Sequence, residues 1–262
     1  MGSLFELRGN LSSKQKLILE VLGAILILGV WYLITGLGLV SKLILPMPHE
    51  VIMSFSELHF EDALVRNVFF SLKLNFLGYL EAVAVSLPLG FMIGLFPISR
   101  GLMERYVNAL RYLPLTAAMG LFIAWFGIAS NMKVQFLAFG IFVYLMPVVA
   151  QRVYEVQQIY VDTVKTLGAS RWQTIKSVFI PDVFSRVSSD IIVLVAISWT
   201  YIIIAEIVNS SQGGVGALAN IAARQSRTDK VFAVLLVIMI IGFLQDKIFT
   251  AIDRLLFRHK YV

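Results

Sequence analysis

Apolar stretches of about 20 residues, the length a helix needs to cross a bilayer, alternate along the chain with shorter polar segments. The pattern predicts six spanning helices, at about 17–37, 68–96, 106–126, 134–150, 187–208 and 231–252. The second carries Lys73, Glu81 and Pro88, and the third carries Arg111 and Pro114 near its start. Lys73 and Glu81 are eight residues apart and share one helix face, turned to a bundle interior or reaching toward an interface. Gly90 and Gly94 form a small-xxx-small spacing, which lets two helices approach closely. The first run is longer than a signal-peptide core and lacks a small-residue cleavage site, so it is expected to remain as a span.

Two connections are too long to be simple turns. In the outer one, 38–67, Val51, Ile52, Phe55 and Leu58 recur at helical spacing among Glu50, Glu57, Glu61 and Asp62. This predicts an amphipathic helix, either at the membrane interface or packed on the bundle. The inner one, 151–186, is polar but has its own periodicity: Val161, Val164, Leu167, then Trp172, Ile175, Val178, Phe179. It predicts two short helices broken at Gly168, with Ser170 as the next N-cap. Pro181 and Asp182 are expected to end the second piece. A paired-helix elbow of this kind offers projecting side chains to a soluble partner or packs on its own bundle.

Composition supports a multi-span membrane protein. Of 262 residues, 58% are hydrophobic and 15% charged, against about half and about a quarter in soluble domains. The mean hydropathy is +0.83. Without cysteine there is no disulfide scaffold, thiolate metal site or cysteine nucleophile. His49, His59 and His259 are too scattered for a metal site. The net charge of +6 reads as cytoplasmic loop charge, not as a nucleic-acid surface. With the N-terminus inside, 14 Lys and Arg fall on the inner side, Arg8 among them, and 6 on the outer side, Lys133 among them. That bias puts both termini in the cytoplasm.

Chemistry of its own is sparse. There is no G-x-x-x-x-G-K-[ST] phosphate loop, no G-x-S-x-G and no H-E-x-x-H. Gly213-Gly214-Val215-Gly216 lacks a βαβ context and reads as a loop. Glu206 is an intramembrane acid, a functional candidate by default, with an interfacial or hydrogen-bonded structural role as the alternative. Ser198, Thr200, Tyr201 and Glu206 are candidate wall or gate residues of a translocation path, or else helix–helix hydrogen-bonding groups. The residues alone define a polytopic transport-type bundle with a cytoplasmic docking elbow.

At that elbow, Val161-Asp162-Thr163-Val164-Lys165-Thr166-Leu167-Gly168-Ala169-Ser170-Arg171-Trp172, closing at Val178-Phe179-Ile180-Pro181, resembles the EAA loop of binding-protein-dependent ABC importer permeases. Gly168 and Pro181 match in position. Asp162 stands where Glu is usual, and Thr163 and Val164 replace the two alanines. Leu45-Pro46-Met47-Pro48, Ser71-Leu72-Lys73 with Gly78, Pro88-Leu89-Gly90, Asn108-Ala109-Leu110-Arg111 with Pro114, and Trp199-Thr200, Ala205-Glu206 and Gly214-Val215-Gly216 extend the resemblance over most of the chain. They point to the nitrate/sulfonate/taurine/bicarbonate branch.

The resemblance implies an all-α, six-helix type I importer permease of the bacterial inner membrane. It implies ABC ATPase subunits that hold ATP and Mg, a second permease copy or paralogue, an extracytoplasmic substrate-binding protein and surrounding lipid. The substrate expected for the branch is a small anion such as nitrate, bicarbonate or a sulfonate. Asp162, Thr163, Val164, Gly168, Ala169, Ser170, Arg171, Trp172 and Pro181 would form the ATPase-coupling element. Ala169 to Trp172 would lead, and Asp162 would brace the elbow by capping or an ion pair with Lys165. Three segments follow: 1–40 with the first helix, 41–67 as the outer loop, and 68–262 as the core with the coupling loop at about 151–186. An ion-gradient-driven secondary transporter is the alternative, and would show internal repeats and broken helices with acids or polar residues at the midplane. An intramembrane enzyme would need a nucleophile or metal cluster within the spans.

Overall fold

The computed structural model describes residues 9–261. Arg8 and the start of the expected N-terminal segment lie outside the described residues. The chain divides into two compact units, residues 9–62 with Ala222–Ala233, and Ala63–Ile221 with Val234 onward.

In the first unit, α1 (Ser13–Gly36) opens on a capping box. Gln15 N–H donates to the Ser12 hydroxyl and Ser12 N–H to the Gln15 side chain, which satisfies two of the free amides of the first turn. No residue of its most apolar stretch is buried, so its hydrophobic surface is left for lipid or another subunit. The predicted amphipathic helix is α2 (Pro48–Phe60), with Pro48 in its first turn. Val51, Ser54 and Leu58 form its buried face, while Ile52, expected on the apolar side, points outward. Trp31 Nε1 donates to the Pro46 carbonyl at 2.9 Å. Arg227 pairs with Glu57 at 2.9 Å and Asp229 at 2.8 Å, and Lys230 with Asp62 at 2.6 Å. These bonds tie α2 to the turn ahead of the last span. They hold the Glu57 carboxyl below the usual carboxylate range, the Arg227 hydrogen bond first.

The second unit is built on α3 (Leu64–Leu95) and α6 (Ser130–Tyr154). They lie side by side and parallel. Gly78 faces Leu137, Gly90 faces Val149 and Gly94 faces Val153, a constant spacing of 59 positions. Cβ atoms on Gly90 and Gly94 would stand 2.5 Å from the opposing valine Cβ atoms, so only glycine permits this approach. Between them come α4 (Pro97–Leu110) and α5 (Met119–Phe126), the latter led in by a 3-10 turn at Leu115–Ala118. The expected third span is thus a bent pair, with 93° between its arms. Pro114 carries no N–H and pushes Leu113 out of helical geometry, which breaks the helix there.

After α6 come α7 (Gln158–Thr166), α8 (Arg171–Thr174) and α9 (Ile180–Val208), then α10 (Val215–Arg224) and α11 (Thr228–Leu256). Pro181 does not end a helix, contrary to expectation. A π-turn at Ile175–Phe179 joins α8 to α9, and the chain is helical from Arg171 through Val208. The Ile180 N–H donates to Ile175, five residues back, and the wider turn accommodates the missing proline N–H. Lys133, counted on the outer loop, is instead fully buried in the first turns of α6. Among the described residues, five helices are long and apolar enough to cross a membrane, and the bent pair makes six if its two arms form one span.

Candidate functional site: an elbow and a polar seam

The elbow forms where α7 stops and α8 starts. Gly168 has φ +80°, a left-handed conformation that favours glycine. Its N–H caps the Lys165 carbonyl at 2.9 Å. Ser170 caps the next helix as expected. Gln173 N–H donates to its hydroxyl at 3.3 Å, and Ser170 N–H returns a bond to the Gln173 side chain at 2.7 Å. Val161, Thr174 and Val178 are buried beneath. Asp162, Thr163, Gly168, Ser170, Arg171 and Trp172 are exposed, with Val164 and Ala169 half-buried. Leu167 is 81% exposed and Trp172 68% exposed, two large apolar groups at the break between α7 and α8. Pro181 is exposed but lies apart, on α9.

Asp162 does not pair with Lys165. Its Oδ1 accepts from Gln158 Nε2 at 2.8 Å, one turn back on α7. The elbow's base is braced by Arg152 at the end of α6. Its guanidinium donates to both Asp190 oxygens on α9, each at 2.8 Å, and to Glu155 at 2.7 Å. Such two-pronged contacts fix geometry as well as charge. The Arg152 hydrogen bond, followed by that of Gln151, holds the Glu155 carboxyl below its usual range.

A second polar element runs between α3 and α9. Ser71, Asn75 and Tyr79 lie at i, i+4 and i+8 on one face of α3. Ser71 donates to Glu206 Oε1 at 2.6 Å. Asn75 Nδ2 donates to Ser198 Oγ at 2.9 Å, and the Tyr79 hydroxyl donates to the Ile191 carbonyl. Glu206 Oε2 accepts the Gly216 N–H at 2.8 Å, and Ser71 Oγ accepts the Val215 N–H at 2.9 Å. Asn67 Oδ1 accepts the Gly214 N–H at 2.7 Å, and Lys133 Nζ donates to the Gly213 carbonyl at 3.2 Å. The buried Glu206 carboxylate therefore caps the N-terminus of α10, where free amides and the helix dipole favour negative charge.

Gly214 has φ +110°, and a Cβ there would lie 2.2 Å from the Glu206 carboxyl carbon. Ser198 and Glu206 sit wholly inside this seam, Tyr201 is half-buried and Thr200 is exposed. The four path candidates are not gathered on one surface. Sequence reasoning passed over Asn67, Asn75, Tyr79 and Lys133. The i, i+4, i+8 spacing of polar groups on an apolar helix was the signal for two of them.

The chain is the membrane-spanning permease subunit of an ABC importer, resident in the inner membrane. The family described as "Binding-protein-dependent transport system inner membrane component" matches residues 86–258, and the chain belongs to it. The taurine transport system permease protein TauC of Escherichia coli is 29% identical over 233 residues, covering 87% of this chain and 84% of that protein. The putative aliphatic sulfonates transport permease protein SsuC of Bacillus subtilis is 28% identical over 232 residues, covering 88% and 84%. A chain of the MetNI methionine ABC transporter, in an inward-facing form, superposes with a TM-score of 0.61 at 18% identity, over 73% of this chain and 94% of that one.

Proposed function

We propose that this chain works as one of a pair of permease subunits and carries a small sulfonate-type anion delivered by an extracytoplasmic binding protein. The exposed elbow carries the reading. Leu167 and Trp172 project from a capped helix pair, an apolar anchor of the kind that fills a partner's groove. The partner is a separate ATPase, which holds ATP and Mg and performs hydrolysis, while this chain performs none. Closure of the ATPase pair moves the elbows, and Arg152, clamped to Asp190 and Glu155, transmits that movement to α6 and α9 as rigid bodies. The sulfonate class rests on the relatives named above.

The second copy and lipid cover the unburied apolar surface of α1. Asp162, Thr163, Val164, Gly168, Ala169, Ser170, Arg171 and Trp172 form the coupling edge, and Pro181 sets the helix that leads away from it. Thr200 and Tyr201 border the path. Ser198 and Glu206 hold α9 and α10 in place beside it. The test is affinity purification from native membrane followed by an ATPase assay. A stoichiometric ATPase subunit, lost when Gly168 is replaced by Glu, supports the reading. A chain that purifies alone and moves solute under an ion gradient favours the secondary transporter.

A further inference from the structure

A groove of about 390 Å³ opens between α3, α5 and α6, within the size range of small-molecule sites. Its wall is apolar and aromatic, with Leu121, Phe122, Trp125, Phe126 and Phe139 among its residues. Among the described residues lining it, Glu81 alone is charged. Glu81 is exposed, and its Oε2 accepts from Gln135 Nε2 at 2.6 Å. The register of α3 against α6 sets Glu81 level with Gly140, near the middle of α6. A carboxylate at that depth is strongly disfavoured against lipid and faces a water-filled passage or a partner. Gln135 occupies one carboxylate oxygen and leaves the other, with its own amide carbonyl, as acceptors. Trp125, 66% exposed, and its phenylalanine neighbours line the groove, and aromatic rings attract organic cations.

We propose that Glu81 and Gln135 form a mid-membrane receptor for an ammonium group on the transported solute, with the aromatic wall around it. This rests on the importer reading and narrows it. The solute carries a positive amine together with its anionic group, because the carboxylate repels a simple anion.

The complete importer, reconstituted with its ATPase and binding protein in proteoliposomes, is offered 2-aminoethanesulfonate and 2-hydroxyethanesulfonate. The two differ only in the group that meets Glu81. Native protein is expected to prefer the amine. Glu81→Gln lowers that preference by about tenfold or more, in line with loss of a charge-assisted bond, and Glu81→Asp restores most of it. Because the readout is a ratio within one preparation, partial misfolding does not mimic it.

An unchanged ratio in Glu81→Gln overturns the proposal. So does transport of neither solute by a complex that still hydrolyses ATP, an outcome that leaves the importer reading standing. A complex that hydrolyses no ATP overturns the importer reading and this inference with it.

Discussion

The Ser71 hydroxyl donates to the Glu206 carboxylate at 2.6 Å and accepts the Val215 N–H at 2.9 Å. One side chain of α3 thereby serves both the end of α9 and the start of α10. Ser71→Ala leaves a buried carboxylate oxygen and a buried amide without partners, which costs about 1–3 kcal/mol each. Expected is a lowered thermal midpoint of the solubilised protein, with KM unchanged for the protein that folds. Gly214→Ala drives a Cβ into the Glu206 carboxyl group and is expected to be the more damaging of the two. Equal midpoints for both variants and the parent would refute this account of the seam.

The close approach of α3 and α6 leads to a second expectation. Gly94→Ala places a methyl 2.5 Å from Val153 Cβ, and overpacking of this kind costs about 1–3 kcal/mol. Pairing it with Val153→Ala should recover part of the loss, because it removes the two γ-methyls at 2.8 and 2.9 Å, although the Val153 Cβ stays. A double-mutant cycle on unfolding free energy checks this, and strict additivity would contradict it.

At the elbow, Trp172→Ala removes a side chain that is 68% exposed. Stability of the isolated permease should stay within about 0.5 kcal/mol, while its affinity for the ATPase should fall by about tenfold or more, the loss of one anchor residue. Titration of the purified ATPase against the solubilised permease reads both. A fall in stability without a fall in affinity would mark Trp172 as packing.

The ion cluster around Glu57 makes stability pH-dependent. Arg227 and Lys230 lower the Glu57 pKa in the folded protein. Its contribution is therefore present above the unfolded carboxylate value and lost as pH falls through the lowered native one. Glu57→Gln should differ from the parent in thermal midpoint at neutral pH, and the difference should shrink on acidification. Because Glu57 is exposed, the difference should be small and reduced by salt. A difference that grows toward acid would contradict the assignment.

Hydropathy made the spans legible, since apolar length is set by the bilayer alone. It did not show the bend at Arg111–Pro114, where the polar arm Pro97–Leu110 gives way to the apolar arm Met119–Phe126, because the direction of the chain between them is not a matter of hydropathy. Pro181 misled for a related reason. A proline reads as a helix end, and only the neighbouring π-turn lets the helix pass it. The Gly168–Ser170 break was legible because φ preference and N-capping are local.

The Glu206 cap was half legible. The acid stood out in an apolar run, but its partners Ser71 and Gly216 lie 135 and 10 positions away in sequence. Lys133 looked like a loop charge because its burial depends on the Gly213 carbonyl of a distant turn. Glu81 was visible as a charge within a span. The groove it faces was not, because aromatic residues of α5 and α6, distant from Glu81 in sequence, build its wall.

The central claim is that the elbow seats in a separate ATPase. The chain has no cysteine, so Ala169→Cys gives each permease subunit one thiol at the elbow's edge. In membranes holding the complete importer, a short bifunctional maleimide should join this thiol to a cysteine placed in the ATPase groove, with a yield that changes on ATP binding. An importing complex in which Ala169→Cys is freely labelled by a water-soluble maleimide, and never joined to the ATPase, would contradict the account.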